Sequence, residues 1–175
     1  MTAGHIPAPP DEVRGATVLA RLVDGLAFRY RWATEGLSES ELAFRPAEGA
    51  MSTSELLDHV HKLARWVEGT VRRTIDSEPE RMDEREPIAE DVEGVRASTL
   101  ARFARLRAQL VELSDSDLAR IEITGTRSKG AQPFWSMING PLADALTHVG
   151  QINTYRRIAG NPAPAADVFR GLPPD

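Results

Sequence analysis

The chain has 175 residues, 41% hydrophobic and 27% charged, which is enough apolar material for one core and fits one domain over residues 1–175. A net charge of −5, with arginines scattered among acidic neighbours, argues against nucleic acid as a partner. The absence of cysteine excludes disulfides, thiolate ligands and a cysteine nucleophile, and no apolar run reaches the ~20 residues that cross a bilayer, so a cytoplasmic protein with no membrane partner is expected.

Residues 1–10 are proline-rich and aperiodic and are expected to form an irregular arm, which contains His5. A first helix is expected over Asp11–Leu37, because Leu19, Leu22, Val23, Leu26, Tyr30 and Ala33 recur at three- and four-residue steps. Asp11 and Glu12 would suit its positive N-terminal end. A short helical turn over Ser38–Leu42 is broken by Arg45-Pro46. Ser52 and Glu55 have capping-box spacing and open a second helix over Thr53–Ile75, with the apolar stripe Leu56, Val60, Leu63, Val67 and Val71.

The charged segment Asp76–Glu90 reads as a solvated linker. A third helix over Glu90–Leu113 carries Val92, Val95, Thr99, Phe103, Leu106, Leu110 and Leu113 at helix-packing steps and stops at Ser114-Asp115-Ser116-Asp117. Ile121–Trp135 alternates and contains Gly125 and Gly130, which suits a short hairpin before the last helix. The fourth helix starts near Pro141, capped by Asn139 or Gly140, and ends at Gly160-Asn161-Pro162. Residues 163–175 are expected to be a second irregular arm. Long amphipathic helices around one core make an all-α four-helix bundle.

Two of these helices carry candidate chemistry. At roughly 100° per residue, His59 borders the buried stripe of the second helix and can look inward, whereas His61, roughly 200° away from it, should face water. On the fourth helix Asp144, His148, Gln151 and Tyr155 are spaced four, three and four and form one polar stripe beside Ala145, Val149 and Ile152. An acid and a histidine at i and i+4 can chelate one ion. The bland alternative is a boundary histidine at 59 and a carboxylate–histidine hydrogen bond on the fourth helix, without metal. If the two helices are neighbours, His59, Asp144 and His148 supply two imidazoles and one carboxylate with an open position, a set that Zn²⁺, Ni²⁺ or Fe²⁺ accepts. Gln151 and Tyr155 could then orient a ligand or a bound water. Trp66 and Trp135 are core residues or line a pocket mouth. Arg156-Arg157 suits a helix C-terminus or an anionic substrate.

Two segments carry a family resemblance. Arg45-Pro46-Ala47-Glu48-Gly49-Ala50-Met51-Ser52, followed by Ser54-Glu55-Leu56-Leu57-Asp58-His59-Val60, resembles the start of the second helix in DinB-like proteins. Asp144-Ala145-Leu146-Thr147-His148-Val149-Gly150-Gln151-Ile152 resembles that family's fourth-helix motif, His-Glu-x-His-His-Arg-Gly-Gln, and Arg157 with Gly160-Asn161-Pro162 fits its ending. Asp144 stands where the motif has its first histidine, and Val149 where it has arginine. The resemblance implies a four-helix bundle, often a homodimer, that binds a divalent metal at the positions of His59, Asp144 and His148. It also implies a small-molecule substrate. Several relatives are transferases or isomerases using a low-molecular-weight thiol such as mycothiol or bacillithiol, and others are metal-dependent hydrolases. The alternative is a non-catalytic stress-response or binding bundle whose Asp/His stripe is structural.

Overall fold

The structure is a computed structural model and describes residues 4–75, 91–125 and 130–175. Helix α1 spans Gly15–Ala33, α2 Glu39–Ala43, α3 Thr53–Ile75, α4 Val92–Glu112, α5 Asp115–Ala119, α6 Trp135–Met137 and α7 Ala143–Ile158. Strands β1, Glu122–Ile123, and β2, Gln132–Pro133, pair antiparallel as the expected short hairpin before the last helix, with Ile123 opposite Gln132. The expected linker at 76–90 lies outside the described residues.

The four long helices make the expected bundle. Helix α1 packs on α4 and α7, and α3 packs on the same two from the other side. Each long helix therefore has two neighbours, and its buried arc is wider than one apolar stripe. The α3 stripe, Leu56, Val60, Leu63, Val67 and Val71, is buried throughout. Exposing any of these side chains would cost ~1.5–3 kcal/mol, so the stripe fixes the rotation of α3 and with it the direction of His59. The capping box forms as well. Ser52 N donates to Glu55 Oε2 at 2.7 Å, and Glu55 N donates to Ser52 Oγ at 3.2 Å.

Several boundaries differ from expectation, each for a local reason. Helix α1 starts at Gly15 because Arg14 is extended and its N–H donates to Thr17 Oγ1 at 2.8 Å, leaving Asp11 and Glu12 outside the helix. It ends at Thr34, and Gly36 turns the chain at φ +62°. Leu22, expected to be inward, is 37% exposed, on an arc of α1 that neither α4 nor α7 covers. Helix α4 is capped by Asp91, whose Oδ1 accepts from Gly94 N at 2.7 Å. Ser114 does more than follow α4. Its Oγ accepts from Asp117 N at 3.1 Å and caps the additional helix α5.

The last long helix does not start at Pro141. Residues Ile138–Leu142 form one π-helical turn in which Gly140 is non-helical (φ −93°, ψ −106°), and the regular helix follows. Proline has no N–H and disfavours α geometry at the residue before it, which accounts for a break at Gly140. Residues after 162 are mostly irregular, with one bridge between Asp167 and Leu172. No helix among the described residues is long and apolar enough to cross a membrane.

Candidate metal centre

Helices α3 and α7 are neighbours, and their seam brings His59, Asp144 and His148 together. Their ligand atoms all lie within 4.8 Å of one another. His59 Nε2 is 3.1 Å from Asp144 Oδ2, and His148 Nε2 is 3.2 Å from Asp144 Oδ1. The two imidazole rings meet edge to face with centroids 4.7 Å apart. The side chains are 34%, 46% and 13% exposed in the order His59, Asp144, His148, so the cluster sits at the surface end of the seam with one side open.

The donor chemistry fits a divalent ion. Gln151 Oε1 lies 2.7 Å from His148 Nδ1. An amide oxygen only accepts, so Nδ1 carries the proton and donates, and in the neutral ring Nε2 is an acceptor facing the carboxylate. Two acceptors facing each other at 3.2 Å need a proton or a cation between them. Histidines that hold metals commonly use the second ring nitrogen in this way. Ligand pairs around a tetrahedral ion with ~2.1 Å bonds stand ~3.4 Å apart, and one ligand atom from each residue lies within 4.8 Å of the others, so the three side chains are near that spacing. Nitrogen and oxygen donors suit Zn²⁺, Ni²⁺ and Fe²⁺.

Beside the cluster lies a cleft of about 450 Å³ whose wall includes Asp144, Leu63, Trp66, Ser136, Asn139 and Gly140. Trp66 lines this cavity and also packs, partly buried, against the core, and its Nε1 donates to Thr124 O at 2.8 Å, tying α3 to the hairpin. Tyr155 is two turns beyond His148, buried, with its ring edge-to-face on Phe44 at 5.6 Å.

Other positions depart from the sequence reading. His61 does not face water. It is 3% exposed, and its Nδ1 is 3.0 Å from Thr99 Oγ1 on α4. The Thr99 hydroxyl donates to Val95 O at 2.7 Å, so it accepts from His61, whose Nδ1 is protonated. Burial, then the nearby Arg102 charge, pushes the His61 pKa below its ordinary value. Helix α4 covers this side of α3, as the single stripe did not foresee. Arg156 is not a surface cation for an anionic substrate. It is 3% exposed and donates from Nη1 to Glu35 O at 2.7 Å and Ala33 O at 3.2 Å. With Asn161, whose Nδ2 donates to both Glu41 carboxylate oxygens, it fastens the end of α7 to α2. Val149, where the family motif has arginine, is buried.

Sequence reasoning also missed the buried carboxylate of Glu68. It accepts from Arg102 Nη1 at 2.7 Å and Arg105 Nε at 2.8 Å across the α3–α4 seam. No local signal marked it, because its partners lie 34 and 37 residues further along the chain.

Fold and site together mark a helical bundle with a candidate chelating triad between two long helices. Residues 26–152 match the model of the DinB superfamily, and the chain belongs to that superfamily. The crystal structure of a DinB-like protein from Bacillus subtilis has the same fold, with a TM-score of 0.57 at 18% identity, over 83% of this chain and 96% of that one. No curated protein matches the sequence.

Proposed function

We propose that the chain is a metal-dependent enzyme acting on a small molecule, either a low-molecular-weight thiol, as in a mycothiol-type S-transferase or isomerase, or a hydrolysable substrate attacked by water. The observation that carries this reading is the convergence of His59, Asp144 and His148 at the open end of the α3–α7 seam, beside a cleft. His59, Asp144 and His148 would hold a divalent ion, and Gln151 orients His148 by accepting its Nδ1 proton. Such an ion lowers the pKa of a bound thiol or water so that the nucleophile exists at neutral pH. Trp66, Ser136 and Asn139 line the space next to Asp144 and would place the second reactant there. A homodimer, as the family resemblance implies, belongs to this reading and is checked by sedimentation.

The competing reading is a non-catalytic bundle. One observation favours it: Asp144 already stands within hydrogen-bond distance of both imidazoles, so the stripe can be satisfied by protons alone. The deciding experiment uses protein purified without an affinity tag. Metal content is measured by mass spectrometry, melting temperature is followed with added Zn²⁺ or Ni²⁺, and thiol consumption is assayed. The enzyme reading expects one ion per chain, a melting temperature raised by metal, and loss of both in His148→Ala. Protein that gains no ion at equimolar metal overturns it, and a melting temperature indifferent to metal favours the structural stripe.

A further inference from the structure

A second cavity, of about 640 Å³, opens on the other side of residues 133–141. The wall is shared. Phe134, Trp135 and Ile138 face this groove, whereas Ser136, Asn139 and Gly140 line the cleft beside Asp144. Across the groove stands the uncovered arc of α1, with Val18 57% and Leu22 37% exposed, and Trp135 is 68% exposed at its mouth. These apolar side chains are out in water although each would gain from burial.

Two arguments identify an occupant. The first is size. At about 640 Å³ the volume falls within the ~300–1,000 Å³ of small-molecule pockets. The second is charge. Among the described residues, Asp115 is the one ionisable group lining the groove. Its Oδ1 accepts from Ala16 N at 3.3 Å at the start of α1, so the carboxylate is held at the groove's end. A carboxylate over an apolar floor attracts an ammonium and repels an anion.

We propose that the groove between α1, α5 and α6 is a second binding site, separate from the candidate metal centre, for an apolar amine whose hydrocarbon lies on Val18, Leu22 and Trp135 and whose ammonium meets Asp115. The site does not depend on the metal-enzyme reading.

Calorimetric titration of the full chain with decylammonium, decanol and decanoate tests it, with sedimentation run in parallel. Decylammonium should bind one per chain, and decanoate should bind about tenfold more weakly or not at all. Asp115→Asn should weaken decylammonium about fivefold and leave decanol unchanged. Val18→Arg, a change at a largely exposed position, should abolish binding of the amine while preserving the helical circular dichroism and the melting temperature. Absence of binding at millimolar amine overturns the proposal, as does binding that survives Val18→Arg or that does not distinguish amine from carboxylate. Self-association that Val18→Arg abolishes, without amine binding, overturns it in favour of a contact between copies of the chain.

Discussion

Two histidines on the same helix, two residues apart, meet opposite fates. His61 faces α4 and is dehydrated, its Nδ1 donating to Thr99, next to the buried pair of Glu68 and Arg102 that half-exposed Arg105 completes. His59 faces α7 and is one-third exposed, in a cluster where a carboxylate meets two imidazoles and one side stays open. Buried polar groups are paired across the α3–α4 seam by Glu68–Arg102 and His61–Thr99, whereas the α3–α7 cluster keeps one side open to another partner. A titratable residue in a bundle is thus a candidate for chemistry because of what remains unsatisfied around it, and residue type alone does not decide this.

The largest expected effect lies in the closed seam. Glu68→Ala leaves the buried Arg102 and its neighbour Arg105 without their carboxylate and should cost about 3–5 kcal/mol in urea denaturation. A loss below about 1 kcal/mol would mean that this seam is wet and that the contrast between the two seams fails. The same group predicts a pH dependence. Burial raises the Glu68 pKa, but Arg105 and Arg102 outweigh it, and the carboxyl ends below its ordinary 4.5. The unfolded chain therefore takes up this proton first. The contribution to stability is complete above about pH 4.5 and is lost as pH falls through the lower folded value. Glu68→Gln should flatten acid unfolding in that window, and an unchanged profile would assign the acid sensitivity to other carboxylates.

In the open seam the expected order reverses, with small effects on stability and large effects on metal. His148→Ala should lower Zn²⁺ or Ni²⁺ affinity by more than about 100-fold, since even residues behind the ligands cost 10–100-fold. The metal-free melting temperature should move by only a few degrees. Unaltered affinity in a competition titration would remove His148 from the ligand set. The smallest effect is expected from Gln151→Ala, which frees the His148 ring without removing a donor and should weaken metal about tenfold. If Gln151→Ala matches His148→Ala, the amide is itself a ligand.

Much of this was legible in the chain. Helix α3 runs over the residues its capping box and stripe predict, because both signals are local and neither depends on a neighbour. Asp144 and His148 share a face through helical spacing alone, and their meeting with His59 required only that two helices be adjacent. What stayed hidden depends on which helices touch. The burial of His61 follows from α4 covering a second side of α3, and Glu68 finds its arginines 34 and 37 residues away. Arg156 reads as a helix-end cation until Ala33 and Glu35 supply their carbonyls and Glu41 of α2 its carboxylate. The turn at Gly140 combines a proline signal that was visible with a backbone geometry that was not.

The distribution of the triad along the chain has a kinetic consequence. Asp144 and His148 travel together on one helix, whereas His59 lies 85 residues before Asp144. If the cluster holds an ion, the later couple would be in place as soon as its helix forms, whereas His59 would join only after long-range docking. An ion gripping all three would be a removable stitch across a long loop, shrinking the conformational space of the opened chain. Chelators should therefore strip it at the pace at which that one seam breathes, well before the rest of the bundle comes undone.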